Sequence, residues 1–256
     1  MLESFKDIPT PDGRMNTFIT HPEQGGPFPA VVIYMDIWGM REELYDIARR
    51  VASVGYYCMV PNLYHRQGDI SFNYRDTQGR AMSLRRLAEA EQKKVLAPLE
   101  KLTNSMAIED TGAMLKFLRD QPAAKPGPKG CVGYCMGGRF VLCAAGVYPD
   151  DFRAAASLHG TALISKMPDS PHEMVHKFKG EVYGGFAERD PYAPPEMIAE
   201  LDALLAKHKV PHHFEIHRDT DHGYALPHRD IYARAAAERD WELIFAMFRR
   251  QIPAYA

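Results

Sequence analysis

Apolar runs alternate with segments of helical periodicity along this chain, and the alternation predicts strands and helices in turn. The longest apolar run is FPAVVIYM at 28–35, and YYCMV at 56–60 is a second one. Between the two runs, apolar residues recur at the spacing of one helical face, at Leu44, Ile47, Ala48, Val51 and Val54. A strand, a helix and a strand at this spacing predict a βαβ unit within a parallel sheet.

The rest of the chain continues the alternation without an internal repeat or a linker-like segment. Five further strands are predicted: 14–20, one that ends near 133, one near 153–158, 180–186 and 212–217. Five further helices are predicted: one near 81–100, one near 105–120, one that begins at 136, 195–208 and 229–250. A polar, glycine-dotted segment at 61–80 predicts a long loop of the kind that is functional or mobile. We therefore expect a single α/β domain over residues 1–256, with a mostly parallel, twisted sheet and helices on both of its faces.

Composition and charge exclude several classes of protein. The chain has 256 residues, enough for a sizeable core, and its 31 basic and 33 acidic side chains give a formal net charge of −2. This balance argues against binding to nucleic acid or to an anionic membrane. The first residues, MLESFKDIPTPDG, lack the apolar core of a signal peptide, and no apolar run is long enough to cross a bilayer. These features predict a cytoplasmic protein.

The four cysteines lie in apolar segments, at positions 58, 131, 135 and 143, and form no CxxC pair. This pattern predicts reduced thiols, without a disulfide framework or a zinc site. Cys58, Cys131 and Cys143 fall inside predicted strands or helices, which is typical of core residues.

Cys135 differs because it lies at the centre of GYCMG, residues 133–137, between a predicted strand and a predicted helix. A nucleophile with a glycine two positions away on each side is the pattern of the nucleophile elbow of α/β-hydrolases. The glycines let the strand and the helix cross without a Cβ clash. The N-terminus of the helix favours a thiolate and a developing oxyanion. The alternative is that Cys135 only packs, since free cysteine is among the most buried residue types.

An elbow nucleophile needs an acid and then a base further along the chain. Asp190 lies in a proline-containing turn after the strand VYGGF, where the acid is expected. His222 precedes a glycine in the loop after the strand HHFEIH, where the base is expected. Glu188, Asp219 and Asp221 are local alternatives to Asp190.

Four more histidines come shortly before His222, at positions 208, 212, 213 and 217. Their spacing does not form a coherent metal site, so we interpret them as solvated or packed side chains. No motif in the sequence indicates a metal or an organic cofactor, and we expect neither.

Five motifs, taken together, resemble the dienelactone hydrolase family over roughly residues 12–250. They are GYCMGGR at the elbow, VGYYCMVPNLYHRQG after the first βαβ helix, ASLHG after the elbow helix, GGFAERDPYAPPE and DHGYALP. The resemblance implies an α/β-hydrolase fold and a catalytic triad of Cys135, Asp190 and His222. These are the same three residues that the chain order indicates.

The family also has a carboxylate after the first buried strand, a glutamate in its best-known members, which hydrogen-bonds the thiol and takes part in its activation. The matching stretch, VVIYMDIWGMR, has Asp36 at that position, one methylene shorter. The alternative is that Asp36 caps a helix or a loop. Fold geometry implies that the backbone N–H groups of Ile37 and Met136 are the oxyanion donors.

In dienelactone hydrolases two arginines bind the substrate carboxylate, which a guanidinium fork matches bidentately. The positions that could supply them are Arg80, Arg85, Arg86 and Arg229, although surface arginines are common. Aromatic side chains that could line the pocket, or simply pack, are Trp38, Tyr64, Tyr74 and Tyr134.

These features predict a hydrolase of a lactone or small carboxylic ester that forms an acyl-thioester on Cys135. A thiol peroxidase or redox sensor is one alternative, but no second cysteine is placed to resolve a sulfenic acid. A non-catalytic binding protein on the same fold is another, against which the presence of all three triad residues speaks. The expected partner is a small-molecule substrate, and both a monomer and a homodimer fit the sequence.

Overall fold

Residues 1–255, which the computed structural model describes, contain one sheet of eight strands and six α-helices. The strands are β1 (Leu2–Thr10), β2 (Gly13–His21), β3 (Ala30–Tyr34), β4 (Tyr57–Pro61), β5 (Lys129–Tyr134), β6 (Phe152–Leu158), β7 (Glu181–Arg189) and β8 (His212–Asp221). The helices are α1 (Glu42–Ala52), α2 (Glu89–Glu100), α3 (Asn104–Arg119), α4 (Met136–Val147), α5 (Pro195–Lys207) and α6 (Arg234–Gln251). None of these six helices has the length and hydropathy to cross a bilayer.

The strand order across the sheet is β1-β2-β4-β3-β5-β6-β7-β8. β2 pairs antiparallel with both β1 and β4, whereas the pairs from β4 to β8 are parallel. Parallel strands end at the same edge of a sheet, which is where open α/β folds bind their ligands. The loops after β3, β5, β6, β7 and β8 therefore lie together, and they carry Asp36, Cys135, His159, Asp190 and His222.

Helices cover both faces of the sheet, as the sequence predicts. Gly130 and Gly133 point to opposite faces of β5 because they are an odd number of residues apart. On one face, a Cβ at Gly130 would lie 2.7 Å from Ile252, which follows α6. On the other, a Cβ at Gly133 would lie 2.1 Å from the carbonyl oxygen of Gly137 in α4. The α/β fold with helices on both faces is confirmed.

The centre of the sheet consists of β3, β4 and β5, which are buried at every position. Such continuous apolar runs are characteristic of parallel strands that are covered on both faces. β3, α1 and β4 form the predicted βαβ unit, with β3 parallel to β4. Val54 is an exception to the predicted apolar face, because α1 ends at Ala52 and leaves Val54 41% exposed.

Strand β1 was not predicted, and its burial pattern explains why. Within Leu2–Thr10 only Ile8 is buried, so the strand has no alternating apolar face that the sequence could reveal. It forms because every residue pairs with β2 across the hairpin.

Two helices also begin later than predicted. The segment from residue 81 first forms a 3₁₀ turn at Leu84–Arg86, and α2 begins only at Glu89. The last helix begins at Arg234, because residues 228–230 form a turn that hydrogen-bonds to Ala81. Both differences bring the 81–86 segment and the 226–231 segment together at the edge of the sheet that carries the site.

Candidate active site

A sharp turn between β5 and α4 carries Cys135. Its backbone adopts φ 55° and ψ −116°, a region that costs about 1–3 kcal/mol for a residue with a side chain. The turn fits only because its neighbours are glycines: a Cβ at Gly137 would lie 2.5 Å from the carbonyl oxygen of Tyr34. The backbone therefore holds the Cys135 thiol beyond the end of the strand, with the residue 9% exposed.

Asp190 and His222 reach the same place from the ends of β7 and β8. The Nδ1 N–H of His222 donates to Oδ2 of Asp190 at 2.7 Å, and the Asp190 side chain is fully buried. The backbone N–H of Tyr192 donates to the other oxygen of Asp190 at 2.9 Å. Asp190 thus holds the imidazole through Nδ1, which leaves Nε2 for the cavity.

The Cys135 sulfur acts electrostatically on the His222 ring. Burial disfavours the imidazolium, but the neighbouring Cys135 sulfur and the Asp190 carboxylate outweigh burial and raise the pKa of His222 to about 10. Nε2 makes no aligned hydrogen bond with any group in residues 1–255. Cys135 and His222 line the same cavity, and Nε2 of His222 is available there for a reacting group.

The acidic alternatives to Asp190 are occupied elsewhere. Arg189 pairs with both Asp219 and Asp221, at 3.1 Å in each case. Glu188 accepts a hydrogen bond from the backbone N–H of Asp219. Of the four carboxylates considered from the sequence, Asp190 is the one that hydrogen-bonds His222 within residues 1–255.

The other three cysteines lie in the core. Cys58, Cys131 and Cys143 are buried and free, in β4, β5 and α4. Burial raises the pKa of Cys143 to about 12, and raises those of Cys58 and Cys131 further. These thiols are accordingly poor candidates for nucleophiles or for resolving cysteines.

The residues predicted to supply the oxyanion donors meet above Tyr64. Neither the Ile37 nor the Met136 backbone N–H donates a hydrogen bond to another group in residues 1–255. The Tyr64 hydroxyl donates to the Ile37 carbonyl at 3.2 Å and lies 3.6 Å from the Met136 sulfur. Tyr64 is fully buried and does not line the cavity, so the structure places it beneath the two donors, where it connects them.

Asp36 follows β3 and is buried in an ion-pair network. Its carboxylate accepts hydrogen bonds from Arg41 at 2.6 and 2.9 Å, from Arg229 at 3.3 Å and from the Trp38 backbone N–H at 3.1 Å. Burial opposes the charged form, but Arg41 and Arg229 outweigh it and lower the pKa of Asp36. No hydrogen bond within residues 1–255 joins this carboxylate to Cys135. Thiol activation by Asp36 stays a prediction.

A cavity of about 360 Å³ opens beside Cys135 and His222. Its wall is largely apolar and comes from the segments around 84–99 and 226–231, with Leu84, Leu96, Leu99, Leu226 and Ile231. Trp38 also lines the cavity, as predicted from its place in the sequence, and Arg229 lies over its ring at 4.0 Å. The cavity suits a small molecule with an apolar body.

The predicted arginines differ in their surroundings. Arg80 pairs with Asp76 and does not line the cavity, whereas Arg85, Arg86 and Arg229 do line it. Arg86 pairs with Asp230, and Arg229 pairs with Asp36. Among these three, Arg85 alone makes no ion pair within residues 1–255.

Several cavity residues were not assigned a role from the sequence. Tyr192 and His159 pack against the His222 ring from two sides, at ring-centroid distances of 4.8 and 4.9 Å. Leu96 and Leu99 line the apolar wall. Tyr192 and His159 lie inside two of the motifs on which the family resemblance rests, and their place in those motifs was the one feature of the sequence that could have pointed to them. Within residues 1–255, no cluster of three His, Cys, Asp or Glu side chains is arranged to hold a metal ion.

The chain resembles known proteins over nearly its whole length. It is 25% identical to a "putative carboxymethylenebutenolidase" of Methylorubrum extorquens over 95% of this chain and 79% of that protein. A protein of the same description from Escherichia coli strain K12 is also 25% identical, over 98% of this chain and 88% of its own.

Solved structures show the same fold. A "putative dienelactone hydrolase" of Klebsiella pneumoniae superposes with a TM-score of 0.83 at 21% identity, over 97% of this chain and 98% of that one. A dienelactone hydrolase-like promiscuous phosphotriesterase from metagenomic libraries gives 0.76 at 18% identity, over 98% and 99% of the two chains. Both likenesses establish the α/β-hydrolase fold. The family model for dienelactone hydrolases matches residues 15–252, and the chain therefore belongs to the dienelactone hydrolase family.

Proposed function

We propose that this hydrolase cleaves a lactone or a small carboxylic ester through an acyl-thioester on Cys135. The observation that carries the proposal is the placement of the Cys135 thiol on a strained elbow, beside an imidazole that Asp190 holds at 2.7 Å. The apolar cavity at this point gives an ester access to both groups. The scheme requires no metal and no organic cofactor.

In the first half of the reaction, the Cys135 sulfur attacks the carbonyl carbon of the ester. The carbonyl oxygen becomes an oxyanion, for which the N–H groups of Ile37 and Met136 are the proposed donors. The C–O bond of the ester then breaks, and the imidazolium of His222 protonates the leaving oxygen. The raised pKa of His222, about 10, keeps this proton available at neutral pH.

In the second half, neutral His222 accepts a proton from water, and the resulting hydroxyl attacks the thioester carbon. The C–S bond breaks and returns the sulfur and the imidazolium to their starting state. A cyclic ester suits this sequence because its leaving oxygen stays tethered to the acyl group.

The test compares two cysteines of the same stretch, one at the elbow and one in the core. Cys135→Ala should reduce turnover of a dienelactone and of a short aryl ester by about 10³-fold or more, because the nucleophile is lost. Cys131→Ala, four residues earlier and fully buried, should keep turnover within about threefold. Cys135→Ser should retain a trace of activity at most, since an alcohol is a weaker nucleophile. Wild-type turnover in Cys135→Ala would contradict the proposal.

The guanidinium of Arg85 makes no ion pair within residues 1–255, and we infer the charge of the substrate from it. Asp36 and Asp230 already balance Arg229 and Arg86, so a substrate carboxylate is the counterion that Arg85 can take. We therefore expect an anionic ester or lactone with an apolar body.

Paired substrates test this charge preference. Arg85→Gln should lower kcat/KM about tenfold for an ester that carries a carboxylate, and should leave its neutral methyl-ester analogue unchanged. Arg80→Gln is the matched control, because Arg80 lies in the same segment but outside the cavity. An equal effect of Arg85→Gln on both substrates would rule out the carboxylate contact while leaving the cysteine mechanism standing.

A further inference from the structure

His159 lies directly after β6, in the wall of the cavity that holds Cys135 and His222. The residue is fully buried. Its ring meets the ring of His222 at a centroid distance of 4.9 Å and an angle of 74°. The chain thus places a second imidazole against the proposed base.

Both ring nitrogens of His159 are buried, and neither makes a hydrogen bond within residues 1–255. Leaving a buried polar group unpaired costs about 1–3 kcal/mol. Burial, with the positive charges of His222 and Arg229, holds the pKa of His159 well below its usual range. The ring is therefore neutral at physiological pH and offers one donor and one acceptor.

The backbone and the neighbouring rings hold His159 in this position. Its φ is 37°, in the left-handed region, and its backbone N–H donates to the Gly185 carbonyl at 2.7 Å. Tyr134 and Tyr224 pack against the ring at centroid distances of 5.8 and 5.7 Å. A phenylalanine could fill the same space among aromatic rings without unpaired polar atoms, so packing alone does not account for an imidazole here.

His159 lines the cavity, and the proposed reaction brings a water there that can partner one of its ring nitrogens. We propose that His159, together with His222, binds the water that hydrolyses the acyl-thioester on Cys135. A buried water requires two or more polar partners, and the free Nε2 of His222 and a free ring nitrogen of His159 provide two. The inference rests on the proposed function and adds a residue to its second half.

The step is a hydrolysis without redox change. One hydrogen of the water passes to Nε2 of His222, and the other donates to the unprotonated nitrogen of His159. The water oxygen forms a bond to the acyl carbon, and the C–S bond to Cys135 breaks. The acid product leaves, and the sulfur remains beside the His222 imidazolium. His159 does not change its protonation state.

The experiment separates acylation from deacylation. Wild type, His159→Phe and His159→Gln are mixed with p-nitrophenyl acetate in a stopped-flow instrument, and the protein is analysed by intact-mass spectrometry. His159→Phe should release the first equivalent of nitrophenol at a rate within about twofold of wild type. Its steady-state rate should fall about tenfold or more, with an acetyl group accumulating on Cys135, because the water loses a partner. His159→Gln retains a donor and an acceptor and should deacylate within about threefold of wild type.

His217→Gln is the control, because His217 also packs on Tyr224 but does not line the cavity. A selective loss of deacylation in this variant would overturn the water site, and so would an equal slowing of both phases in His159→Phe. If no variant forms an adduct on Cys135 and Cys135→Ala turns over at the wild-type rate, the proposed function fails instead. His159→Met supplies a second apolar replacement in case His159→Phe does not fold.

Discussion

Two histidine–aspartate pairs lie near the end of β8, and they differ in what they can do. His222 is 2.7 Å from Asp190, and His217 is also 2.7 Å from Asp240. The carboxylate side chain is fully buried in both pairs. By residue type, distance and burial of the acid, the two pairs match.

The difference lies in the nitrogen that each carboxylate holds. Asp190 holds Nδ1 of His222, so that Nε2 is left for the cavity. Asp240 instead holds Nε2 of His217, and it also accepts hydrogen bonds from the hydroxyls of Tyr183 and Tyr224 at 2.6 and 2.7 Å. Asp190 orients a ring that lines the cavity, whereas Asp240 ties β7, β8 and the following loop to α6. In the proposed function, the catalytic role of a histidine–aspartate pair comes from its place at the strand end and from a ring that lines the cavity.

The largest expected effect separates the two histidines by activity. His222→Gln should lower kcat/KM for an ester by about 10³-fold or more, because in the proposed mechanism the same ring serves as acid and then as base. His217→Gln should stay within about threefold of wild type, since the ring lies outside the cavity. Steady-state assays of both variants measure the contrast. Equal losses would show that the position of the ring at the cavity does not distinguish the pairs.

The sequence could separate these pairs only in part. Cys135, Asp190 and His222 could be proposed because the elbow motif fixes a local backbone and the fold fixes the order of acid and base along the chain. The partner of His217 could not be proposed, because Asp240 lies in α6 and no motif joins them. The sequence analysis interpreted His217 as a solvated or packed side chain, and the structure shows it packed against Asp240 and Tyr224, a contact that the spacing could not name.

Other features escaped prediction because they depend on the direction of a side chain. Tyr64 was expected at the pocket wall, but the 61–80 loop turns its ring beneath Ile37 and Met136. The apolar wall at Leu96 and Leu99 depends on how α2 packs over the strand ends. β1 had no apolar periodicity to detect. Local backbone rules were therefore enough to propose the candidate site residues. The shape of the cavity depends on tertiary packing, which the sequence alone does not reveal.

The second-largest expected effect is a difference in the free energy of unfolding between variants of the two carboxylates. Asp240→Asn should lower the free energy of unfolding by about 3 kcal/mol. Three donors meet the carboxylate, the amide keeps one acceptor oxygen, and the loss of one or two hydrogen bonds to a charged acceptor costs about 1.5–3 kcal/mol each. Asp190→Asn should change the unfolding free energy by about 1 kcal/mol and reduce kcat sharply, since the imidazole loses its orientation. Urea denaturation followed by circular dichroism, alongside activity assays, measures both. A greater loss of stability in Asp190→Asn would reverse the assignment of structural and catalytic carboxylates.

The smallest change concerns a single proton and leaves the fold intact. The pKa of His222 is raised to about 10, so its ring keeps the proton through neutral pH and loses it as the pH rises through about 10. After burial, which acts in the opposite direction, the Cys135 sulfur is the strongest influence on this pKa. Cys135→Ala should therefore make His222 lose its proton at a lower pH, whereas Cys131→Ala should not. Titration of the His222 ring resonances by NMR measures the shift in each variant. Identical titration of His222 with and without the Cys135 sulfur would mean that the sulfur does not raise the pKa of the imidazole. The comparison between the two histidine–aspartate pairs would then rest on geometry alone.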